Sequence, residues 1–321
     1  MIDRYPIILA GNLHVYRKLR LLTGGAYGVV LSYRQCPTLN PVAVKVSADR
    51  IALHEANILE RIKDADPDKN NLLKLVEHFS YRYEHYIVTE KLDQDLLHFM
   101  HRECQRPLRV SEIRPIAQQI LVALKALKSM GIVHTDIKLN NLMLVDHGNH
   151  PFKVKLIDFG LARRIYQMNP SSEIQILGFR APEAVFGLSM NESVDMWGLG
   201  CVLAYLYLNR NLFAITSEYD YIASVIQMLG TPPQEVIDSL ELQDEEEFKS
   251  LLKQMLCFDS KKRITPEEAL SHNFIRMKHL SKCLFDPYGA TAFRLMSYRS
   301  RKRSNRFIGP FSASVRDPKP G

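Results

Sequence analysis

The 321-residue chain is poor in cysteine and has no long hydrophobic run. Its five cysteines are odd in number and form no C-x-x-C pair, which argues against a disulfide framework or a zinc site and favours a reducing compartment. The longest apolar run, Gly198–Leu208, is too short to cross a bilayer, because a spanning helix needs about 20 residues. The N-terminus has no basic-then-apolar leader. We therefore expect a soluble intracellular protein of the nucleus, the cytoplasm or both, with no membrane partner.

The formal net charge of +7 is unevenly distributed. From Cys283 onward the chain carries eight lysines and arginines against two aspartates, which is most of the excess. The basic stretch 298–306 fits a nuclear-import or nucleic-acid patch, and it fits a solvated tail equally well. No nucleic-acid-binding fold accompanies this stretch. We predict a basic, flexible C-terminal tail over residues 283–321 and do not expect direct nucleic-acid binding.

The most informative stretch is His134–Asn141, which lies between short apolar segments. It carries Asp136, Lys138 and Asn141, and a D-F-G triplet begins at Asp158, seventeen residues after the stretch ends. Any one of these polar residues alone would more often be a structural hydrogen-bonding group. The combined spacing H-x-D-x-K-x-x-N, then D-F-G, indicates a catalytic loop followed by a metal-binding loop. Turns between buried strands are suitable places to hold reactive groups at a cleft.

A glycine-rich hairpin is predicted near the N-terminus, with a strand on each side of the turn. Glycine lets a backbone approach phosphate groups closely, so such a turn can cover a nucleotide. Thr23 stands where the pattern G-x-G-x-x-G-x-V has its first glycine, so a plain β-hairpin remains an alternative. A dinucleotide-binding fingerprint fits less well because it requires a helix after the glycines. The predicted nucleotide-contacting residues here are Leu22, Gly24, Gly25, Gly28 and Val30.

A lysine, Lys45, is embedded in the apolar strand predicted at 41–46. A buried ammonium requires a partner, and in the V-A-I-K pattern it reaches the α and β phosphates of a nucleotide. We expect its carboxylate partner to be Glu55, in the helix predicted from Ile51. The alternatives are Glu60 or a Glu55 that faces solvent.

Two further strands, predicted at Leu72–Phe79 and Tyr86–Thr89, lead to the segment that would contact adenine. Glu90 and Leu92 belong to this segment, and the small side chain of Thr89 would leave the rear of the pocket open. Asp93 or Asp95 then contacts a sugar or caps the next helix, and a cap is favoured.

The second half of the chain is predicted to be mainly helical. One helix would begin at Ser111 with a serine cap, bury one face at three- and four-residue spacing, and end at Gly131. Asp195 opens an apolar helix and would anchor the backbone of the catalytic loop. Residues 244–247 are expected to be a solvated acidic helix start.

The stretch from Leu161 to Arg180 is predicted to be a loop that closes with an A-P-E triplet ending at Glu183. Arg263 is the expected partner of Glu183. A bidentate pair between them would fix the end of the loop.

These motifs together resemble a eukaryotic protein kinase over about Tyr16–Leu280. Within that family, several strings resemble the homeodomain-interacting protein kinases, a branch of the CMGC group related to the dual-specificity tyrosine-regulated kinases. The strings are LDQDL at 92–96, IRPIAQQ at 113–119, LKSMG at 127–131 and RITP at 263–266. The resemblance implies a two-lobed α+β fold over 16–274, with an N-lobe (16–90) of antiparallel sheet and one helix and a larger, mainly helical C-lobe (94–274).

The resemblance also implies a reaction: transfer of the γ-phosphate of ATP to Ser/Thr hydroxyls of protein substrates, with magnesium. Asp136 would orient the substrate hydroxyl and accept its proton, and Lys138 would steady the γ-phosphate. Asn141 and Asp158 would hold Mg²⁺. Transcription-related proteins are the candidate partners that the family suggests.

The chain departs from the family pattern at three positions that bear on regulation and specificity. Thr135 replaces the arginine of H-R-D, which the resembled branch also tends to lack, so the usual cation that would receive an activation-loop phosphate is missing. Glu173 falls where the family has an autophosphorylated tyrosine, so we hypothesise that it supplies a permanent negative charge; a solvated loop glutamate is the alternative. Leu177 replaces an arginine associated with proline preference, so strict proline direction is not expected. The stretch 233–248 is shorter than the family insert, and a docking surface is expected to be lost.

A rival interpretation is a kinase-shaped regulatory or scaffold protein that binds ATP and partners but transfers little phosphate. Thr23, Thr135 and the shortened insert motivate it. None of these departures removes a group that phosphoryl transfer requires.

Overall fold

The structure is a computed structural model that describes residues 4–25, 28–48, 50–170, 172, 174–213, 215–217, 220–221, 224–225, 227, 240–280 and 287–297. The described chain forms two lobes, a small β-sheet lobe followed by a mainly helical one. This is the two-lobed fold that the sequence predicted.

The N-lobe is a single antiparallel sheet with one helix packed on it. Its strand order is β1-β2-β3-β4-β6-β5. The strands are β1 (Ile8–Ala10), β2 (Val15–Gly25), β3 (Gly28–Cys36), β4 (Pro41–Ser47), β5 (Leu75–Tyr81) and β6 (Glu84–Glu90), and the helix is α1 (Arg50–Lys63). Alternation along β4 buries Val42, Val44 and Val46 on one face, which leaves Lys45 on the other. Helix α1 buries Ala56 and contacts β5 and β6.

The fifth strand begins later than its apolar run suggests. The sequence predicted a strand from Leu72, whereas β5 begins at Leu75 and Leu72 forms only an isolated bridge with Leu156 of the C-lobe. Asn71 has a positive φ of 54°, which redirects the chain just before this bridge. The apolar side chain of Leu72 therefore belongs to an interlobe contact and not to the N-lobe sheet.

The C-lobe is built around two helices, α3 and α5. Helix α5 is buried along most of its length, as its apolar sequence predicted. The helices are α2 (Leu96–His98), continued as a π-helix (Phe99–Cys104), α3 (Val110–Ser129), α4 (Pro182–Val185), α5 (Ser193–Leu208), α6 (Leu240–Met255), α7 (Pro266–Ser271), α8 (Asn273–Arg276) and α9 (Pro287–Ser297). The short strands are β7 (Ile132–Val133), β8 (Leu142–Leu144), β9 (Val154–Leu156) and β10 (Arg163–Arg164).

The start of α3 differs from the sequence prediction. The helix begins at Val110 with Arg109 as its N-cap, and Ser111 is buried inside the first turn. The side chain of Glu112 accepts the Arg109 N–H at 2.8 Å. The carboxylate of Glu112, three residues after the N-cap, therefore caps the helix in place of the predicted Ser111.

Within the acidic stretch 244–247 Glu246 is exposed, but Asp244 is buried, so the prediction of a solvated stretch was wrong for Asp244. Its carboxylate is fully buried and contacts the guanidinium of Arg114, His279 Nε2 at 2.7 Å and the Tyr288 hydroxyl at 2.6 Å. Burial alone would raise the pKa of Asp244, but the hydrogen bonds and the charge of Arg114 outweigh it and lower that pKa. The partners come from distant parts of the chain, so local composition does not reveal this cluster.

Part of the predicted flexible tail is a packed helix. Residues 287–297 form α9, which buries Ala292 and Leu295 and packs on α3. The spacing of these apolar residues forms one helical face that the C-lobe covers. The sequence analysis missed this face because it considered only the excess of basic residues in the tail. Residues 283–286 and 298–321 lie outside the described part of the chain. No helix that the structure describes is both long enough and apolar enough to span a membrane.

Candidate active site

The embedded lysine of β4 is bonded to two carboxylates from different elements. Lys45 Nζ lies 2.7 Å from Glu55 Oε2 and 3.0 Å from Asp158 Oδ1. Burial alone would lower the pKa of Lys45, but the charges of Glu55 and Asp158 outweigh it and raise that pKa. Glu60, the alternative partner, lies instead 3.7 Å from Lys63. The predicted Lys45–Glu55 contact is therefore present, and it extends to the D-F-G aspartate.

The three polar residues of the catalytic loop converge on one carboxylate. Asp136 Oδ2 accepts from Lys138 Nζ at 2.7 Å and from Asn141 Nδ2 at 2.9 Å. Asn141 Nδ2 also donates to the Asp136 carbonyl at 2.8 Å. A short 3-10 turn (Leu139–Asn141) folds the asparagine back over the aspartate. The spacing in the sequence thus becomes one hydrogen-bonded unit.

Asp195, at the start of α5, holds the backbone of this loop. Its carboxylate accepts the His134 N–H at 2.7 Å and the Thr135 N–H at 2.8 Å. Burial raises the pKa of Asp195, and the hydrogen bonds from the two N–H groups oppose that rise. This is the backbone contact that the sequence analysis expected.

The D-F-G triplet is turned inward and packed against both lobes. Phe159 is fully buried and lies edge-on to the His134 ring with centroids 5.1 Å apart. Its backbone N–H donates to Glu55 on α1. A Cβ on Gly160 would lie 3.1 Å from Ile51 Cγ2, so glycine lets α1 approach this closely. The triplet therefore joins α1 to the catalytic loop.

Asn141 and Asp158 are chemically suited to magnesium. Burial alone would raise the pKa of Asp158, but the charge of Lys45 outweighs it and lowers that pKa, which keeps the carboxylate ionised. An amide oxygen and an ionised carboxylate are the hard donors that Mg²⁺ prefers, with water and phosphate oxygens completing its shell. In the described parts of the chain, no group of three or more His, Cys, Asp or Glu residues is arranged to hold a metal ion. Two protein ligands therefore fit a cation that is shared with phosphate.

The described strands of the glycine-rich hairpin adjoin the strand that carries Lys45. Strands β2 and β3 pair down to Gly25 opposite Gly28, while residues 26 and 27 lie outside the described chain. Gly28 has a φ of +124°, and a Cβ there would collide with the Val46 carbonyl. Val30 pairs with Lys45 in the neighbouring strand, so both side chains share a face. Leu22 and Val30 are half-buried and Gly24 is exposed.

The predicted adenine-contacting segment is held by a lysine that the sequence analysis missed. Lys155 of β9 is almost fully buried, and its Nζ lies 2.5 Å from Glu90 Oε1 and 2.6 Å from Asp68 Oδ1. Glu90 Oε1 also accepts the Lys74 N–H at 2.8 Å. The sequence did contain a signal for Lys155, because it is a lysine embedded in an apolar strand, as Lys45 is. This network joins the end of β6 to the C-lobe.

The remaining predictions near this segment have clear outcomes. Thr89 and Leu92 are buried. Asp95 Oδ1 accepts the His98 N–H at 2.9 Å, so the favoured role of a helix cap is confirmed. Asp93 Oδ2 accepts the His147 N–H at 3.3 Å.

The end of the activation segment is fixed by a buried ion pair. Arg263 Nη1 and Nη2 lie 2.6 and 2.9 Å from the two carboxylate oxygens of Glu183, the bidentate geometry that the sequence suggested. The guanidinium also stacks over the Trp197 ring at 5.1 Å. Glu173 lies outside the described residues. Leu177 packs against the main apolar core.

The comparisons with known proteins agree with this geometry. Residues 16–275 match the family model described as protein kinase domain. The chain therefore belongs to the protein kinase family, whose members use ATP, generally with Mg²⁺, to phosphorylate proteins.

Within that family the chain is similar to the homeodomain-interacting protein kinases. It is 30% identical to homeodomain-interacting protein kinase 2 of Mesocricetus auratus, over 92% of this chain and 31% of that protein. It is 38% identical to homeodomain-interacting protein kinase 1 of Caenorhabditis elegans (70% of this chain, 27% of that protein). It is 35% identical to human homeodomain-interacting protein kinase 4 (68% and 36%). The chain thus spans about a third or less of the length of these relatives. The catalytic roles of individual residues stay predictions.

Proposed function

We propose that this chain is an ATP- and Mg²⁺-dependent protein serine/threonine kinase that works without phosphorylation of its activation segment. One observation carries the proposal. Lys45 is bonded to both Glu55 and Asp158 while Asp136 is bonded to Asn141, so the groups that the reaction needs are already assembled. Phosphoryl transfer depends mostly on positioning and electrostatics, so this assembly is the main requirement.

Each of these side chains has a distinct task in the proposed reaction. Asp136 would orient the attacking hydroxyl and accept its proton, with its carboxylate held in place by Lys138 and Asn141. Lys45 would bind the α and β phosphates, and Glu55 would fix the position of its ammonium. Asn141 and Asp158 would hold Mg²⁺, which supplies positive charge to the phosphate oxygens. Lys138 would then stabilise the γ-phosphate during transfer.

Labelled-phosphate transfer from ATP to a generic basic protein tests the proposal. Asp136→Asn keeps the shape of the side chain and removes the base, so we expect the rate to fall by at least about 100-fold. The matched control is Asp64→Asn, at an exposed position after α1. Equal signals from wild type and Asp136→Asn would contradict kinase activity and favour the regulatory or scaffold role.

The finer features of the proposal need separate measurements. We expect phosphate on serine and threonine. Phosphotyrosine alone in an analysis of the modified amino acids would contradict that specificity.

We expect phosphatase-treated protein to keep its rate of phosphate transfer. A rate that disappears on phosphatase treatment and returns on rephosphorylation would contradict independence from the activation segment.

The partners and the location follow as proposals from the relatives and the composition. The relatives' names state an interaction with homeodomain proteins, so we propose transcription-related proteins as substrates here. We propose an intracellular location in the nucleus, the cytoplasm or both, supported by the odd number of cysteines and the lack of a C-x-x-C pair in the sequence. Imaging of a tagged full chain tests this, and secretion into the medium would contradict it.

A further inference from the structure

Two consecutive carbonyls directly after the D-F-G triplet are held from two sides. Thr135 Oγ1 donates to the Leu161 carbonyl at 2.7 Å. His54 Nε2 lies 2.6 Å from the Ala162 carbonyl. A carbonyl can only accept, so this imidazole nitrogen carries a proton and donates. We call residues 161–162 the post-DFG turn.

The two donors belong to the elements that carry the candidate catalytic groups. Thr135 directly precedes Asp136 in the catalytic loop, and His54 directly precedes Glu55 on α1. The post-DFG turn is therefore bonded at once to the catalytic loop and to α1. Movement of this turn would shift Asp158, three residues earlier, relative to both.

Thr135 links more than the turn. Its N–H donates to Asp195 Oδ1 at 2.8 Å, and its carbonyl accepts the Gln175 N–H at 3.1 Å. The residue is fully buried, so water does not compete for these bonds. One uncharged side chain and its backbone thus connect α5, the post-DFG turn and the activation segment at Gln175.

The backbone of Thr135 is in an unfavourable conformation. Its φ is +66°, a region that β-branched residues rarely adopt. Such strain persists where the surrounding structure determines it, and it points to a functional constraint at the position. The hydroxyl contact with the Leu161 carbonyl is a reason for threonine here that glycine would not supply.

The rest of the turn is consistent with a fixed arrangement. The Ala162 N–H donates to the Phe159 carbonyl at 3.1 Å. Arg163 then pairs with Val133 in the small β7–β10 ladder, immediately before the catalytic loop. None of these contacts involves a phosphate.

We propose that Thr135 and His54 are positioning residues that hold the post-DFG turn in the arrangement required for phosphoryl transfer. This inference rests on the proposed kinase activity and gives a physical basis for its independence from phosphorylation. Thr135 has no charge with which to receive a phosphate. Hydrogen bonds from a buried hydroxyl and an imidazole to backbone carbonyls form whether or not the activation segment is modified.

The test compares paired variants in phosphatase-treated protein. Thr135→Val keeps the β-branched shape and removes the donor, whereas Thr135→Ser keeps the hydroxyl. His54→Phe keeps a ring without a donor, and His54→Gln offers an amide donor instead. We expect kcat to fall about threefold to tenfold in the Val and Phe variants, as for loss of one buried hydrogen bond, with the KM for ATP little changed. We expect the Ser and Gln variants to recover most of the rate.

Two controls remove similar contacts elsewhere. Ser129→Ala deletes a hydroxyl bond to the Ala126 carbonyl at the end of α3, and His85→Gln changes an imidazole that contacts Ser80 on the β5–β6 hairpin. We expect both to keep the wild-type kcat. A wild-type kcat in both Thr135→Val and His54→Phe would overturn the inference. An equal loss in all four test variants, with a lower Tm, would also overturn it, because it would indicate packing and not the donors.

A second measurement separates this inference from the proposed function. Amide hydrogen exchange over residues 159–165 in nucleotide-free protein should be faster in Thr135→Val and His54→Phe than in wild type or in the control variants. If wild type transfers no phosphate, the proposed function fails while this exchange still reports on the turn. Unchanged exchange in both variants would overturn the positioning role.

Discussion

Lys155 illustrates how a single side chain connects the two lobes behind the candidate site. Its ammonium is bonded to Glu90 at the end of β6 and to Asp68 in the loop after α1. Burial alone would raise the pKa of Asp68, but the hydrogen bonds and charges of Lys155 and Lys74 lower it to about 2. The position of Glu90 at the end of the N-lobe sheet therefore depends on a residue of the C-lobe.

Lys155→Met should weaken nucleotide binding more than it slows chemistry. The substitution leaves Glu90 without its ammonium partner, so we expect the KM for ATP to rise about threefold to tenfold and stability to fall by about 1–2 kcal/mol. Steady-state kinetics and urea unfolding measure the two effects. The matched control is Lys63→Met, which removes a more exposed lysine 3.7 Å from Glu60. An unchanged KM alongside a lower kcat would contradict this role.

Glu173 is a second residue with a specific expectation, although it lies outside the described residues. We hypothesise that its negative charge replaces that of a phosphate in the activation segment. Glu173→Gln should then lower turnover of the purified protein several-fold, because the substitution removes about one surface charge contact. Glu246→Gln, on an exposed part of α6, is the control. A turnover equal to wild type would leave Glu173 as an ordinary solvated side chain.

At the scale of elements, one buried carboxylate joins α9 to two other helices of the C-lobe. Tyr288 of α9 and Arg114 of α3 both contact Asp244 of α6, so three helices meet at this point. The Arg114 guanidinium also lies over the Phe274 ring at 4.6 Å. A buried carboxylate with several partners is costly to disrupt, because removing it leaves a buried cation uncompensated.

Asp244→Ala should therefore destabilise the protein far more than Tyr288→Phe. We expect about 3–5 kcal/mol for the loss of the buried ion-pair partner. We expect about 1 kcal/mol for the loss of the single tyrosine hydroxyl. Chemical denaturation followed by circular dichroism compares the two. Similar small losses would mean that Asp244 is accessible to water in solution, as its local sequence suggested.

At the scale of the whole molecule, acid should unfold the protein through its paired carboxylates. The pKa values of Asp68, Asp158 and Asp244 are all lowered in the folded chain, chiefly by cationic partners and hydrogen bonds that outweigh burial. A lowered folded-state pKa contributes stability above the ordinary pKa of about 4 and loses it as pH falls through the folded value. Glu55 and Asp195 have raised pKa values because of burial, so they oppose this trend.

We therefore expect stability to fall below about pH 4, with a shallower fall in Asp244→Asn than in wild type. The substitution removes one carboxylate whose folded pKa is low, so fewer protons are taken up on unfolding. Urea titrations at a series of pH values measure the slope. The control is Asp64→Asn, whose exposed carboxylate should leave the slope unchanged. An identical slope in wild type and Asp244→Asn would contradict the assignment.

The amino-acid sequence by itself determined the class of fold and the identity of the central residues. Lys45 could be named because a charged side chain is unusual in an apolar strand. Asp136 and Asn141 could be named because a single turn fixes their spacing. Helices and strands followed from apolar periodicity, although β5 and α3 began at other residues than predicted.

The tertiary structure decided every feature that depends on partners distant in the chain. The burial of Asp244, the bond of Lys155 to Glu90 and the contacts of Thr135 and His54 with the post-DFG turn were not visible in the sequence. The physical reason is that such a contact joins segments whose separation along the chain sets no distance between them. Only the packing of strands and helices in the folded chain brings these groups within hydrogen-bonding range, and packing against α3 also covers the apolar face of α9 in the basic tail.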